Sequence, residues 1–153
     1  MAMTMQGEVT LPANRERVWE ALNDPEFLKA CIPGVQELDK VSDTEFRATA
    51  KLAVGPVKAS FKGVVTLNDL DPPNGYRIAG EGQGGVAGFA KGGAQVRLEE
   101  AEGGTKLSYD VDAQVGGKIA QLGGRLINGV AKKYADEFFA NFAKHLAPAE
   151  NAA

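Results

Sequence analysis

Few side chains in this sequence could perform acid–base, nucleophilic or metal chemistry. The chain has one histidine, His145, and one cysteine, Cys31. A metal centre needs several histidine, cysteine or carboxylate ligands, and a catalytic triad needs a histidine beside its nucleophile. His145 lies near the C-terminus, where a cation suits a helix dipole, and Cys31 is typical of a small buried thiol. We therefore expect no catalytic residues, no metal and no cofactor.

The segment GEGQGG, residues 80–85, fits the G-x-G-x-x-G pattern of dinucleotide-binding loops. In that fold a helix must follow directly, because its N-terminus holds the pyrophosphate. The next residues, VAGFAKGGAQVRL, alternate in the way that is typical of a strand. The pattern therefore predicts a glycine-rich hairpin, with the loop 84–93 at the mouth of an internal space. Arg77 and Arg125 could meet a carbonyl or phosphate group there, although a solvent-facing salt bridge is the more common role of such residues.

The strands that would surround this space are lined by small residues. EFRATAKLAV, residues 45–54, and PVKASFKGVVTL, residues 56–67, alternate with period two, so each has one inward face. On those faces Ala48, Ala50 and Gly63 stand where a packed core would have large side chains. Small residues recur inward at Gly80, Gly82, Ala90, Ala94 and Ala113. A curved sheet lined in this way must be filled by another group or stay hollow, so the sequence predicts a container for an apolar ligand.

The order of elements predicts an α+β helix-grip fold. A first strand at 7–13 is followed by two short helices, 15–24 and 25–32, and then by six more strands. A broad apolar stripe at helical spacing predicts one long helix over 118–146. We expect a curved antiparallel sheet of about seven strands around that helix, as a single domain over 1–147 with a disordered tail at 148–153.

Bulk composition excludes several classes of protein. The net charge of −3 argues against a general nucleic-acid binder, which needs a strong positive field. The N-terminus lacks the pattern of a signal peptide, and no apolar stretch approaches the ~18 residues of a membrane span. A lone cysteine cannot form an internal disulfide. We therefore expect a cytoplasmic protein.

Four stretches carry motifs that point to one family: PANRERVWEALNDPEFLKACIPG (12–34), VGPVKASFKGVVTLNDLDPP (54–73), GEGQGGVAGFAKGGAQVRL (80–98) and VGGKIAQLGGRLINGVAKKYADEFFANF (115–142). With them the chain resembles the G-subunit family of carbon monoxide dehydrogenase, within the SRPBCC or START-like helix-grip superfamily. The resemblance implies a hydrophobic cavity for a quinone or lipid and, as protein partner, a molybdenum-containing carbon monoxide dehydrogenase or related hydroxylase. Some members carry a C-terminal extension that anchors them at the membrane. This chain ends at Ala153 without one, so we expect no transmembrane segment and leave peripheral membrane contact open.

The predicted cavity is lined by residues that face inward from the strands, from the long helix or from the two short helices, which would form a lid. They are Trp19, Phe27, Leu28, Ile32, Phe46, Ala48, Ala50, Phe61, Gly63, Ile78, Gly80, Phe89, Ala94, Tyr109, Leu122, Leu126, Val130 and Tyr134. The predicted function is that of a non-catalytic accessory protein that holds a small hydrophobic ligand. Two alternatives stay open: an assembly or maturation factor that acts by protein contact, and a cyclase- or hydrolase-like enzyme, which would need titratable residues facing inward.

Overall fold

Seven strands form one antiparallel sheet in a computed structural model of the chain, which describes residues 2–152 and the side chains of residues 2–146. Neighbours follow the order β1-β7-β6-β5-β4-β3-β2, so β1 and β2 are the edges. The strands are β1 (Ala2–Leu11), β2 (Val35–Ser42), β3 (Glu45–Val54), β4 (Val57–Asp71), β5 (Gly75–Gln83), β6 (Phe89–Ala101) and β7 (Gly104–Gly116). The predicted sheet is confirmed, and its period-two alternation is the reason why one face turns inward.

Two short helices and one long helix complete the fold: α1 (Arg15–Leu22), α2 (Pro25–Cys31) and α3 (Gly124–Ala152). The side chain of Asn14 accepts a hydrogen bond from the Arg17 amide and caps α1, while Asp24 accepts from the first amides of α2. These caps satisfy amides that have no partner within the helix. The helix-grip arrangement expected from the sequence is therefore present. No helix in the described part of the chain has the length and apolarity needed to cross a bilayer.

Two predicted boundaries are wrong. β1 begins at Ala2 rather than Gly7, because Met3 and Met5 continue the alternation in register with β7. The long helix begins at Gly124, and residues 118–122 form a separate 3-10 turn. Gly123 has a φ of +91°, which breaks the helical path between them. The predicted disordered tail, 148–153, lies outside the residues whose side chains are described.

The core consists of two clusters at opposite ends of the sheet. The large cluster joins α1, α2 and the C-terminal half of α3 to the sheet, and its fully buried members include Leu11, Val18, Phe142 and Leu146. The small cluster consists of Ala87, Val115, Ile119 and Ile127 with partly buried neighbours. Because α3 contributes to both clusters, it runs along the inner face of the sheet from one to the other.

Candidate functional site

The inner face of the sheet between the two clusters carries a patch of small residues. Strand register places Ala48, Gly63, Gly82 and Ala90 side by side across β3, β4, β5 and β6. The adjoining row contains Gly80, Gly92 and Ala113, and Ala94 lies beside it. We call these eight residues the small-residue patch.

In the part of the chain whose side chains are described, no atom of α3 lies within 4 Å of a Cβ atom built in the middle of this patch. A Cβ atom built on Gly82 would lie 4.0 Å from the carbonyl oxygens of Lys62 and Ala90, and within 4 Å it would meet nothing else. A Cβ atom on Gly80 would meet only Val65 Cγ2 at 3.7 Å and the Val64 oxygen at 3.8 Å. All of these neighbours belong to adjacent strands. The described part of α3 therefore leaves room for an added side chain at Gly80 and Gly82, and we call the space above these positions the hollow.

Partial burial along the strands agrees with that geometry. Phe46 and Leu98, at the end of the sheet near the large cluster, are buried. Ala48, Ala50 and Ala94, farther along the same inner faces, stay only half-buried although they lie beneath a helix. This partial exposure agrees with an inner face on which α3 packs less closely than in the large cluster, because packed interiors leave few voids.

The helix also presents short side chains to this region. Ile127 belongs to the small cluster and Phe138 packs against the large one. Helical spacing places Val130, Ala131 and Ala135 between them, and all three are half-buried. The hollow is thus bounded by short side chains above and below.

Two tyrosines lie along the two sides of α3. Tyr134 accepts a hydrogen bond at its hydroxyl oxygen from the Ala53 amide at 3.1 Å, which joins α3 to β3. On the other side the ring of Tyr109 covers Gly7 of β1 and stacks on Phe139, with 5.4 Å between ring centroids. Burial raises the pKa of Tyr109; nearby Asp136 raises it further, and Lys132 opposes the shift. A groove of about 550 Å³ lies at the Tyr134 side, lined by residues of β3 and β4 and by Tyr134 itself.

The two short helices close the end of the sheet next to the large cluster. Trp19 meets Tyr76 edge to face with 5.2 Å between centroids, and Phe27 meets Phe142 in the same way at 4.9 Å. The side-chain amide of Asn141 donates to the Cys31 carbonyl at 3.0 Å, which links α2 to α3. Leu28 packs against the same cluster, and Ile32 is the half-buried C-cap of α2. Burial raises the pKa of Cys31 to about 11, and it also raises the pKa of Tyr76.

The other end of the hollow is bounded by three connections that meet at the small cluster. The β5–β6 connection contains a short 3-10 turn, Gly85–Ala87, and is followed by a strand, as the glycine-rich hairpin predicts. The Phe61 ring covers Gly84, and the Phe89 ring covers Gly116. Leu126 lies against Gly55 of the β3–β4 turn and is 38% exposed. Leu122 is half-buried in the second 3-10 turn.

The predicted cavity residues therefore occupy three neighbouring regions. Ala48, Ala50, Gly63, Ile78, Gly80, Ala94 and Val130 lie around the hollow. Trp19, Phe27, Leu28, Ile32, Phe46 and Tyr109 lie in or beside the large cluster, and Phe61, Leu122 and Leu126 lie near the small cluster, with Tyr134 at the side. The prediction that Phe89 faces inward is wrong, because Phe89 alternates with inward Ala90 and its ring covers Gly116 on the outer face of the sheet. Of the two arginines considered, Arg77 makes an ion pair with Asp112 at 3.4 Å and Arg125 is exposed.

Three further residues of the hollow follow from the same alternation. Val111 of β7 pairs with Ala94 on one side and with Met5 of β1 on the other, and Val65 of β4 pairs with Gly80. Met5 falls outside the predicted first strand, which starts five residues later than β1 does. Val65 and Val111 carry the period-two signal, which marks them as inward as clearly as their small neighbours.

The described residues contain no cluster of His, Cys, Asp or Glu that could hold a metal ion. They do form a depression of about 490 Å³ on the outer face of the sheet. Its lining includes Glu81, Lys91 and Asp112, so charges of both signs border an open surface. The hollow on the inner face, with its apolar lining, is the better candidate for a binding site.

Known families and solved structures match this chain over nearly its whole length. The model of the CoxG family, the G subunit of carbon monoxide dehydrogenase, matches residues 7–147. A conserved protein from Geobacillus kaustophilus is 31% identical with a TM-score of 0.89, over 95% of this chain and 96% of that one. No curated protein matches the chain.

Two more distant structures show the fold alone. Ara h 8.0201 is 20% identical with a TM-score of 0.66, over 96% of this chain and 99% of that one. The Zhui aromatase/cyclase from Streptomyces sp. R1128 is 13% identical with a TM-score of 0.69, over 95% of this chain and 93% of that one.

Proposed function

Because the chain belongs to the CoxG family of carbon monoxide dehydrogenase subunits, we propose that it is a non-catalytic carrier of a small hydrophobic molecule of the quinone or lipid class. In this proposal the ligand lies in the hollow between α3 and the small-residue patch. The protein serves a carbon monoxide dehydrogenase or a related molybdenum hydroxylase, and it works in the cytoplasm.

One observation carries the proposal: no side chain of the described part of α3 lies within contact distance of a Cβ atom added at Gly80 or Gly82. Positions that meet nothing from α3, such as Gly80 and Gly82, leave apolar surface unpaired in the empty protein. An apolar ligand would bury that surface and gain roughly 25 cal/mol for each Å² of apolar area removed from water. The site therefore favours a molecule with substantial apolar area over a small polar metabolite.

The chemistry of the walls supports a ligand with a carbonyl group. The Tyr134 hydroxyl accepts from the Ala53 amide through its oxygen, which leaves its O–H free to donate. Among the described side chains that border the hollow, this proton has no acceptor. A quinone carbonyl that enters beside α3 would supply one, and the groove beside Tyr134 is the access route that we assign to it.

The titratable groups on the inner face support a carrier rather than an enzyme. The described inward positions of β3 to β7 that lie beneath α3 hold tyrosines as their titratable side chains, including Tyr76 and Tyr109, whereas Glu100 lies at the end of β6 beside Arg15. Burial raises the pKa of both phenols, so each stays protonated near neutral pH and is poorly suited to act as a general base. The likeness to an aromatase/cyclase is a likeness of fold, and folds of this kind do not fix an activity.

The test is to recover and then replace the ligand. Protein purified without detergent is extracted with organic solvent, and the extract is analysed by mass spectrometry. The stripped protein is then titrated with a short-chain quinone, a fatty acid and an isoprenoid, while the melting temperature and Trp19 fluorescence are followed. We expect a saturable rise in melting temperature, because a ligand that binds only the folded state stabilises it.

Gly80→Leu is the matched control, since it fills the hollow without adding charge. It should fold and should lose the shift. The carrier function is refuted if no ligand is extracted and none of the three classes shifts the melting temperature of the unmodified protein. A factor that acts by protein contact would then be the better account.

A further inference from the structure

Acidic and basic residues are segregated along this chain. Segments 46–68, 82–98 and 113–135 together contain ten Lys and Arg residues and no Asp or Glu, although the whole chain has 20 acidic residues. The fold brings parts of all three segments together. The β3–β4 turn, the β5–β6 connection and the residues between β7 and α3 meet at the small cluster, and we call this part of the molecule the loop end.

The basic residues of the loop end are exposed and unpaired. Lys58, Lys118 and Arg125 are exposed, and within the described part of the chain none of them makes an ion pair. Elsewhere acidic partners are available, as where Arg77 pairs with Asp112 and Lys106 with Glu8, whereas the three segments that form the loop end contain no acidic residue. The loop end therefore presents a positive surface on a protein whose net charge is −3.

Apolar side chains project from the same end. Val86 is 92% exposed at the tip of the first 3-10 turn, next to Ala87, which is only 3% exposed. Because Ala87 is anchored in the small cluster, Val86 is held outward. Phe89 and Leu126, which are 36% and 38% exposed, lie on the adjoining segments.

We infer that the loop end docks on an anionic lipid bilayer, with Val86 inserted among the lipids and the basic residues against the headgroups. Surface-bound proteins commonly combine apolar residues that enter the headgroup boundary with basic residues that face anionic lipids. A protein partner would instead be expected to cover roughly 800 Å² on each side around aromatic anchors. One projecting valine, with partly exposed Phe89 at the start of β6 and Leu126 near the start of α3, suits a bilayer better than a flat protein surface.

The distribution of acidic residues also sets an orientation. Asp39 lies on β2 near its end and Asp43 lies at the β2–β3 turn, which is at the far end of the sheet from the β3–β4 turn. A negative membrane would repel that end while it attracts the loop end. The inference stands apart from the carrier function, since it rests on surface charge and exposure and holds with or without a ligand.

The test measures sedimentation with vesicles made of two parts phosphatidylcholine and one part phosphatidylglycerol, and with vesicles of phosphatidylcholine alone. We expect binding to the anionic vesicles that weakens as salt rises. Val86→Asp, and separately Lys118→Glu with Arg125→Glu, should each lower the partition coefficient at least about tenfold, since each basic residue near an anionic surface contributes to binding. All variants are first checked for an unchanged melting temperature and for binding of a soluble short-chain quinone.

Each variant has a control of the same chemistry at the other end of the molecule. Val41→Asp changes a valine that is 49% exposed on β2, and Lys29→Glu with Lys144→Glu makes the same change of net charge on exposed residues of α2 and α3. Both controls should bind like the unmodified protein. The inference is overturned if the anionic vesicles do not bind the protein, or if the controls lose binding as much as the loop-end variants. Binding of an acidic protein through this end, without vesicle binding, would also overturn it.

Discussion

Gly80 offers a direct test of whether the interior is hollow. A Cβ atom at this position would meet Val65 Cγ2 and the Val64 oxygen at 3.7 and 3.8 Å, which are ordinary contact distances. Glycine within a strand costs about 0.5–1 kcal/mol relative to alanine, and removing it also lowers the entropy of the unfolded chain. Gly80→Ala should therefore raise the free energy of unfolding by about 0.5–1 kcal/mol. For a chain of this length that corresponds to a rise in melting temperature of about 1–4 °C.

Gly80→Leu places a larger side chain in the same space. In a filled core, such added volume costs about 1–3 kcal/mol. In a hollow it costs little, because the leucine buries apolar area without displacing neighbours, and we expect a change within about 1 kcal/mol. It should also weaken binding of an apolar ligand about tenfold or more, which is about 1.4 kcal/mol of binding free energy.

Gly92 is the matched control, because it pairs with Gly80 in the adjacent strand. A Cβ atom there would overlap the Asp112 oxygen and would lie 2.6 Å from the Ala113 Cα. Gly92→Ala should therefore destabilise the protein, although it adds one carbon where Gly80→Leu adds four. The reasoning fails if thermal melts show Gly80→Leu to be as destabilising as Gly92→Ala, or if the leucine leaves ligand affinity unchanged.

Two further predictions concern single side chains. Tyr134→Phe removes the hydrogen bond to the Ala53 amide, so it should lower the free energy of unfolding in urea by about 0.5–1.5 kcal/mol. It should also weaken the binding of a quinone more than the binding of a hydrocarbon of the same size. Equal losses of affinity for both ligands would contradict the assigned carbonyl contact. Burial raises the pKa of Cys31 from 9.0 to about 11, so the folded state keeps its proton where the unfolded state loses it. The resulting contribution to stability is complete below pH 9.0 and is lost as the pH rises toward about 11. Over that range the free energy of unfolding of Cys31→Ala should fall less steeply with pH than that of the unmodified protein. An identical fall in both proteins would mean that other groups cause it.

Regular alternation made the sheet predictable, because period two assigns each strand residue to a face whatever the tertiary contacts are. The ends of elements were harder to place. The spacing of apolar residues stays helical on both sides of Gly123, so the sequence predicts one continuous helix. The positive φ of Gly123, which ends the 3-10 turn before α3, is seen only in the structure. Met3 and Met5 alternate with polar neighbours in the sequence, and this alternation was a sufficient signal to predict an earlier start for β1.

The roles of individual glycines could not be predicted. Gly63, Gly80 and Gly92 all face inward from strands, yet an added Cβ atom finds space at Gly80, a tight contact of 3.2 Å with the Glu81 oxygen at Gly63, and an overlap at Gly92. These differences depend on how closely the backbone of the neighbouring strand approaches each glycine, which the pattern of residue types does not reveal. The segregation of charge is similar, because the acid-free segments are visible in the sequence but only the topology brings them to one end.

The hydrogen bond from the Ala53 amide to Tyr134 reports on local opening between α3 and β3. Lys51 donates its amide to the Gly34 oxygen at 2.8 Å, and β2 begins just afterwards at Val35. At Ala53, β3 is therefore paired with β4 on one side and has no described strand on the other. A free strand edge would let the Ala53 amide exchange its hydrogen with solvent quickly, and the phenol is what protects it. The hydrogen–deuterium exchange rate of this one amide therefore measures how often α3 separates from β3. A ligand that must pass between them cannot enter or leave more often than that amide becomes exposed.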